Sequence, residues 1–177
     1  MQNSNSRLKV FPNIRTLAEA SAMVGLAAVL YLIKIYQLPQ GGSVSAGSMV
    51  PILFLALRNG PAIGAFAGSI FGLIQYLVEP FFFHPIQFLL DYPVAIAALG
   101  IAGFFPRHPY LGVTLALGAR FLCHFISGIV FFASYVPEGM SPILYSISYN
   151  IAYLLPELII SLIVICLLRK KISHVAE

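Results

Sequence analysis

A chain of 177 residues is long enough for one domain. Its side chains exclude an ordinary water-soluble one, since 59% are hydrophobic and only 9% charged, against roughly 25% charged in soluble domains. The apolar surplus must face lipid, and the net charge of +4 is concentrated in basic clusters at the two ends (Arg7, Lys9, Arg15; Arg169, Lys170, Lys171), which report membrane topology better than nucleic-acid binding.

The first 16 residues are polar and basic. They lack a short apolar region ending in an A-x-A-like site, so no cleavable signal peptide is read there. Five segments then approach the roughly 20 apolar residues that a spanning helix needs: Leu17–Tyr36, Ala62–Val78, Pro85–Phe105, Tyr110–Phe132 and Ile143–Leu168. A sixth, Gly47–Leu57, is too short to span alone at about 1.5 Å per residue. Thr16-Leu17-Ala18-Glu19 reads as a capping box opening the first helix. Small residues at Ala18, Ser21, Ala22 and Gly25 would let another helix approach that helix closely.

Charge decides the number of crossings. Basic ends place both termini in the cytoplasm, and so do Arg58 and Arg107 for their connections. The connections around 40–45, 79–84 and 134–141 hold no Lys or Arg, but carry Glu79 and Glu138. Six crossings satisfy this alternation, with the short segment crossing at an angle. Lys34, near the outer side, can snorkel. The expected architecture is an all-α bundle of six transmembrane helices forming a single domain over 1–177, of which 1–16 is a cytoplasmic segment.

Within the fourth segment Asp91 lies about two turns inside an apolar helix, where an ionisable residue is a functional hypothesis by default. With Tyr92 and nearby Phe81, Phe82 and Phe88 it suits a cation; an ion pair with Lys34 is the alternative. In the fifth, His124, Gly128 and Phe132 recur every fourth residue and share a face that offers a polar group, a gap and an aromatic wall. That face suits a small aromatic ligand; spacing alone favours the alternative, helix packing against a small residue with the histidine satisfied by a carbonyl. Tyr145 and Asn150 begin the last helix near the outer side and could orient a ligand, whereas Tyr149 and Tyr153 read as interfacial belt or packing. Arg120 and Glu157 lie at matched depth on the last two helices and are expected to form a structural ion pair. Cys123 and Cys166 fall in apolar segments as packing residues. No phosphate-binding loop, metal-ligand motif or nucleophile elbow is present, so neither an ATPase, a metal site nor catalysis is indicated.

Three stretches carry a resemblance: GGSVSAGSMVPILFLALRNGP at 41–61, HPIQFLLDYP at 84–93, and HFISGIVFFASYVPEGM with YSISYN over 124–150. The chain resembles the thiamine-specific substrate-binding subunits (S-components) of energy-coupling factor transporters, over nearly its whole length. The resemblance implies six helices with cytoplasmic termini in a prokaryotic plasma membrane and thiamine captured at the outer face. The ligand set it implies is Asp91, Tyr92, His124, Gly128, Phe132, Tyr145 and Asn150. It implies two ATP-binding subunits and a shared transmembrane subunit as partners, the latter docking on Ser21 and Gly25. No cofactor and no nucleic acid are implied. The family pattern has tryptophans around the ligand, Glu at the acidic position and two alanines at the docking pair; here stand Phe132, Asp91, and Ser21 with Gly25. The other readings are a subunit or stand-alone permease for another small vitamin-like molecule, a membrane enzyme using His124 and Asp91, and a scaffold without ligand.

Overall fold

Long apolar runs become helices, and prolines mark where most of them begin, although Pro156 lies inside the last. The computed structural model describes residues 13–173, so Arg7 and Lys9 of the amino-terminal basic cluster lie outside the described residues. Helix α1 spans Ile14–Leu32. Its cap is Asn13, whose side chain accepts from the Thr16 amide at 2.8 Å. The expected capping box at Thr16 is not used: the helix starts one turn earlier, and Glu19 pairs with Arg58 at 3.2 Å.

The first segment does not stay helical to Tyr36. After Leu32 the chain forms strand β1 (Lys34–Gln37), turns through Pro39–Gly41, and returns as antiparallel β2 (Ser43–Ser45). β-Branched Ile33 and Ile35 with the Pro39-to-Gly42 turn favour a hairpin over another helical turn. This hairpin was not anticipated from the all-α reading.

Among the described residues five helices are long and apolar enough to cross a membrane: α1, α3 (Pro61–Val78), the span Pro85–Phe104, α6 (Pro109–Phe131) and α7 (Pro142–Ser173). The span Pro85–Phe104 is broken into α4 (Pro85–Asp91), α5 (Pro93–Ala97) and a 3-10 stretch (Ala98–Phe104), the first break falling where Pro93 denies the helix an N–H. The short segment forms α2 (Val50–Asn59), and its residues from Val50 to Leu57 are all buried. It is therefore the bundle's interior, hydrophobic all round because helices surround it. The outer faces of the long helices expose Leu73, Leu77, Leu122, Val130, Ile159, Ile163 and Leu167, a pattern that only a lipid solvent tolerates. Cys166 is exposed on such a face rather than packed. The protein is an all-α membrane protein with one small hairpin.

A close contact that the sequence reading passed over holds α3 to the broken span. Gly64, Gly68 and Gly72 recur every fourth residue on α3. A Cβ at Gly68 would lie 2.5 Å from the Ile96 carbonyl oxygen, and one at Gly72 2.5 Å from that of Tyr92. From the other side, a Cβ at Gly100 would lie 2.5 Å from the Ala65 nitrogen. Backbones thus touch without a side-chain layer between them. Gly118, by contrast, has nothing within 4 Å of such a Cβ. Gly68→Leu is expected to destabilise the bundle by about 1–3 kcal/mol, read as a lowered thermal midpoint in detergent, while Gly118→Leu leaves the midpoint nearly unchanged.

Candidate functional site

At the hairpin end of the bundle, α4, α6 and α7 line a cavity that is partly open to solvent, a concave place of the kind that small-molecule sites favour. All seven residues singled out as a ligand set, namely Asp91, Tyr92, His124, Gly128, Phe132, Tyr145 and Asn150, line it. The helical period explains their convergence. His124 and Gly128 stand one turn apart on α6, which ends at Phe132, and Asn150, Tyr153 and Glu157 share the facing side of α7.

Asp91 sits at the centre of a directed chain of hydrogen bonds. Its Oδ1 meets His124 Nδ1 at 3.2 Å, and its Oδ2 accepts from Gln87 Nε2 at 2.7 Å. On the far side of the ring, Arg120 Nε donates to His124 Nε2 at 3.2 Å, and Arg120 Nη1 reaches Met49 Sδ at 2.8 Å. Lys34, the alternative partner for Asp91, pairs instead with Glu79 at the end of α3. Glu79 also accepts from the Tyr31 hydroxyl at 2.8 Å and from Gln37 Nε2 at 3.1 Å. Burial pushes the Glu79 carboxyl up, but the donors from Lys34, Tyr31 and Gln37 outweigh it and hold the group below the usual carboxylate range. This cluster ties α1, β1 and α3 together at the cavity's rim.

The aromatic wall is built by Phe81 and Phe132, stacked with ring centroids 5.4 Å apart. Tyr145 stacks on Tyr149, and Tyr149 meets Tyr153 edge-on. Tyr149 and Tyr153, expected as belt or packing, both line the cavity. The Tyr153 hydroxyl donates to Asn150 Oδ1 at 2.8 Å, fixing that amide. Tyr92 lines the wall, but its hydroxyl serves the loop before α4, accepting from Phe81 N and donating to the Glu79 carbonyl. Gly128 lets α6 and α7 approach closely, since a Cβ there would lie 2.3 Å from Ser146 Oγ.

The expected Arg120–Glu157 ion pair is not formed. Glu157 turns its Oε1 to the hairpin, accepting from Ser45 N at 2.5 Å and Ser45 Oγ at 2.7 Å, while Arg120 points to His124 and Met49. The irregular backbone at Ser45 needed a buried acceptor, and it outcompetes the distant guanidinium; equal depth along two helices does not make two side chains face each other. Glu157 is 1% exposed, and its Oε2 has no hydrogen-bond partner. Residues that the sequence reading passed over also line the cavity: Tyr31, Ser45, Ser48, Met49, Gln75 and Gln87. Two amides inside apolar helices, Gln75 and Gln87, were the available signal. Gln87 stands one turn before Asp91, within reach of it on the same face.

Residues 17–177 match the family described as thiamine transporter protein. Thiamine transporter ThiT of Bacillus subtilis (strain 168) is 38% identical over 171 residues, covering 86% of this chain and 88% of its own. Thiamine transporter ThiT of Lacticaseibacillus paracasei is 26% identical over 137 residues, covering 66% and 68% respectively. A solved structure of ThiT from Listeria monocytogenes superposes with a TM-score of 0.80 over 91% of this chain and 96% of that one, at 24% identity, and so shares the fold.

The Glu157–Ser45 contact predicts a graded response. Glu157→Leu strands the buried Ser45 amide, the hydroxyl keeping Ser48, and is expected to cost about 1–3 kcal/mol in unfolding experiments. Glu157→Gln keeps an acceptor and should cost clearly less.

Proposed function

The chain belongs to the thiamine transporter family, and from that premise we propose that it is the thiamine-capturing subunit of an energy-coupling factor uptake system. As a member of that family it is a multi-pass cell-membrane transporter rather than an enzyme. We place its cavity at the outer face, with six crossings, both termini cytoplasmic and α2 as the oblique sixth.

The observation that carries the ligand reading is Asp91. It is 15% exposed, and among the described residues no Lys or Arg lies within 4.0 Å of it. Its partners are His124 and Gln87, so its charge is oriented rather than cancelled. Thiamine joins a permanently cationic thiazolium to a flat aminopyrimidine. A carboxylate without a counter-ion answers the first, and the Phe81–Phe132 wall, Tyr145 and the amide of Asn150 suit flat rings and neutral donors. Calorimetric titration of the purified protein should find thiamine bound far more tightly than riboflavin or biotin, and equal or absent binding would sink the assignment. In the same assay Asp91→Asn should weaken thiamine by on the order of 1–3 kcal/mol, roughly 5–150-fold. An uncharged analogue should lose much less; equal losses would mean that Asp91 holds the fold instead.

Uptake needs an energy source that this chain does not carry, so the proposal includes a shared transmembrane subunit and two ATP-binding subunits. The face of α1 holding Ser21 and Gly25 supports a docking role: both are exposed, and a Cβ at Gly25 meets nothing within 4 Å. Ser21→Trp or Gly25→Trp should leave thiamine affinity of the isolated chain nearly unchanged. The same variants should fail to copurify with the coupling module and should abolish ATP-dependent uptake. Joint loss of thermal stability and ligand binding would instead assign these residues to packing within the chain.

A further inference from the structure

Arg120 is buried, lines the cavity, and has no carboxylate within 4.0 Å among the described residues. Its bond to His124 fixes more than position. A guanidinium carries only donors and stays protonated in proteins. Its Nε–H points at His124 Nε2 across 3.2 Å, so that ring nitrogen must be the acceptor and bear no proton. The proton of the neutral ring then sits on Nδ1, which faces Asp91 Oδ1, an acceptor, at 3.2 Å. The other end is equally directed. Gln87 Oε1 accepts from Phe83 N at 3.0 Å, which leaves Gln87 Nε2 to donate to Asp91 Oδ2 at 2.7 Å. Every donor in the group thus points toward Asp91: Arg120 to His124 and His124 to Asp91 on one side, Gln87 to Asp91 on the other.

Building on the thiamine-binding reading, we propose that Arg120 is a positioning residue. It holds His124 as the neutral, Nδ1-protonated imidazole, so that Asp91 keeps its full negative charge toward a cationic ligand. A second proton on the ring would set an Nε2–H against the Arg120 Nε–H, losing that bond and placing two cations side by side in a site only 11% exposed at the His124 side chain. The imidazolium so formed would also neutralise Asp91 and repel the ligand. The surroundings supply no other cation to do this work. Besides Asp91 on α4, His124 faces Tyr153 on α7, with ring centroids 6.0 Å apart. Glu157 on α7 and Tyr31 on α1 line the same cavity, while the residue capping α2, Met49, and Gln75 on α3 are non-titrating. Lys34 is held at the rim by Glu79. Arg120 is the one Lys or Arg among the described residues lining the cavity.

The consequence is thiamine binding that ignores pH where a free imidazole would titrate, near about 6.5. Thiamine titrations of the wild type should agree within roughly twofold between about pH 6 and pH 8. In Arg120→Gln and Arg120→Met the ring is free to take a proton as the pH falls, beside an Asp91 that favours it. Affinity should then be lost on the acid side, roughly tenfold between about pH 8 and pH 6. A purely structural Arg120 would shift affinity or stability by the same factor at every pH. Ring-nitrogen NMR of ¹⁵N-histidine-labelled wild type, with His124 assigned by its loss in His124→Gln, should show Nδ1 protonated and Nε2 bare throughout this range. An Nε2–H tautomer or an imidazolium at neutral pH, an acid-sensitive wild type, or a variant profile as flat as the wild type would each overturn the proposal. If the wild type bound no thiamine, the function proposed above would fall, and the ring spectrum would still decide the tautomer.

Discussion

Non-helical backbone among apolar helices has no water to bond to, so the protein itself must satisfy it. Much of the cavity's design follows from that constraint. The α1–α2 connection departs from helix at Ile33, and its polar groups go to the hairpin ladder and to side chains from distant helices. Tyr149 bonds both the Gly42 amide and the Pro39 carbonyl; Glu157 bonds Ser45. The loop before α4 is served in the same way by Tyr92 and Gln87, which bond the backbone of Glu79, Phe81 and Phe83. Several cavity-lining polar residues therefore have a first duty to the loops. What is left over for a ligand is narrower than a roll of lining residues suggests, and it centres on Asp91, His124 and the aromatic faces.

The same economy governs charge. Isolated charges are costly in an apolar layer, and the chain pairs two of its carboxylates with cations in separate groups. Glu79 gathers Lys34, Tyr31 and Gln37 at the rim; Glu19 takes Arg58 and Asn59 at the opposite end of α3. Because Lys34 is committed to Glu79, Asp91 is left with neutral partners. The negative site within the cavity thus depends on an ion pair formed by other residues several turns of chain away.

Composition and helical period made the membrane bundle legible, because a chain with 9% charged residues has few other ways to fold. Residues that line the cavity were legible for a related reason: Asp91 and His124 are conspicuous among apolar neighbours, and periods of four put His124 and Gly128 on one face. What stayed hidden depended on side-chain direction and on loops. The hairpin replaced the last turn of the first segment because its turn residues and its pairing with Ser43–Ser45 act across sequence. Arg120 and Glu157 share a depth but not a direction, and depth was all that spacing could supply. The role of α2 as core became visible only once its neighbours covered every side of it. Tyr149 and Tyr153 read as belt because a tyrosine near a helix end gives the same pattern whether it faces lipid or a cavity.

The glycine contacts between α3 and the broken span also have a mechanical consequence. Side-chain layers yield by rotamer change, whereas two backbones in direct contact have no compliant layer between them. The wall formed by α3 with α5 and the stretch Ala98–Phe104 is therefore the stiff half of the molecule. The hairpin is joined to α7 differently, through side-chain hydrogen bonds of Tyr149 and Glu157. The α3 wall thus forms a fixed frame, and the hairpin over the cavity is held to α7 by side-chain hydrogen bonds instead.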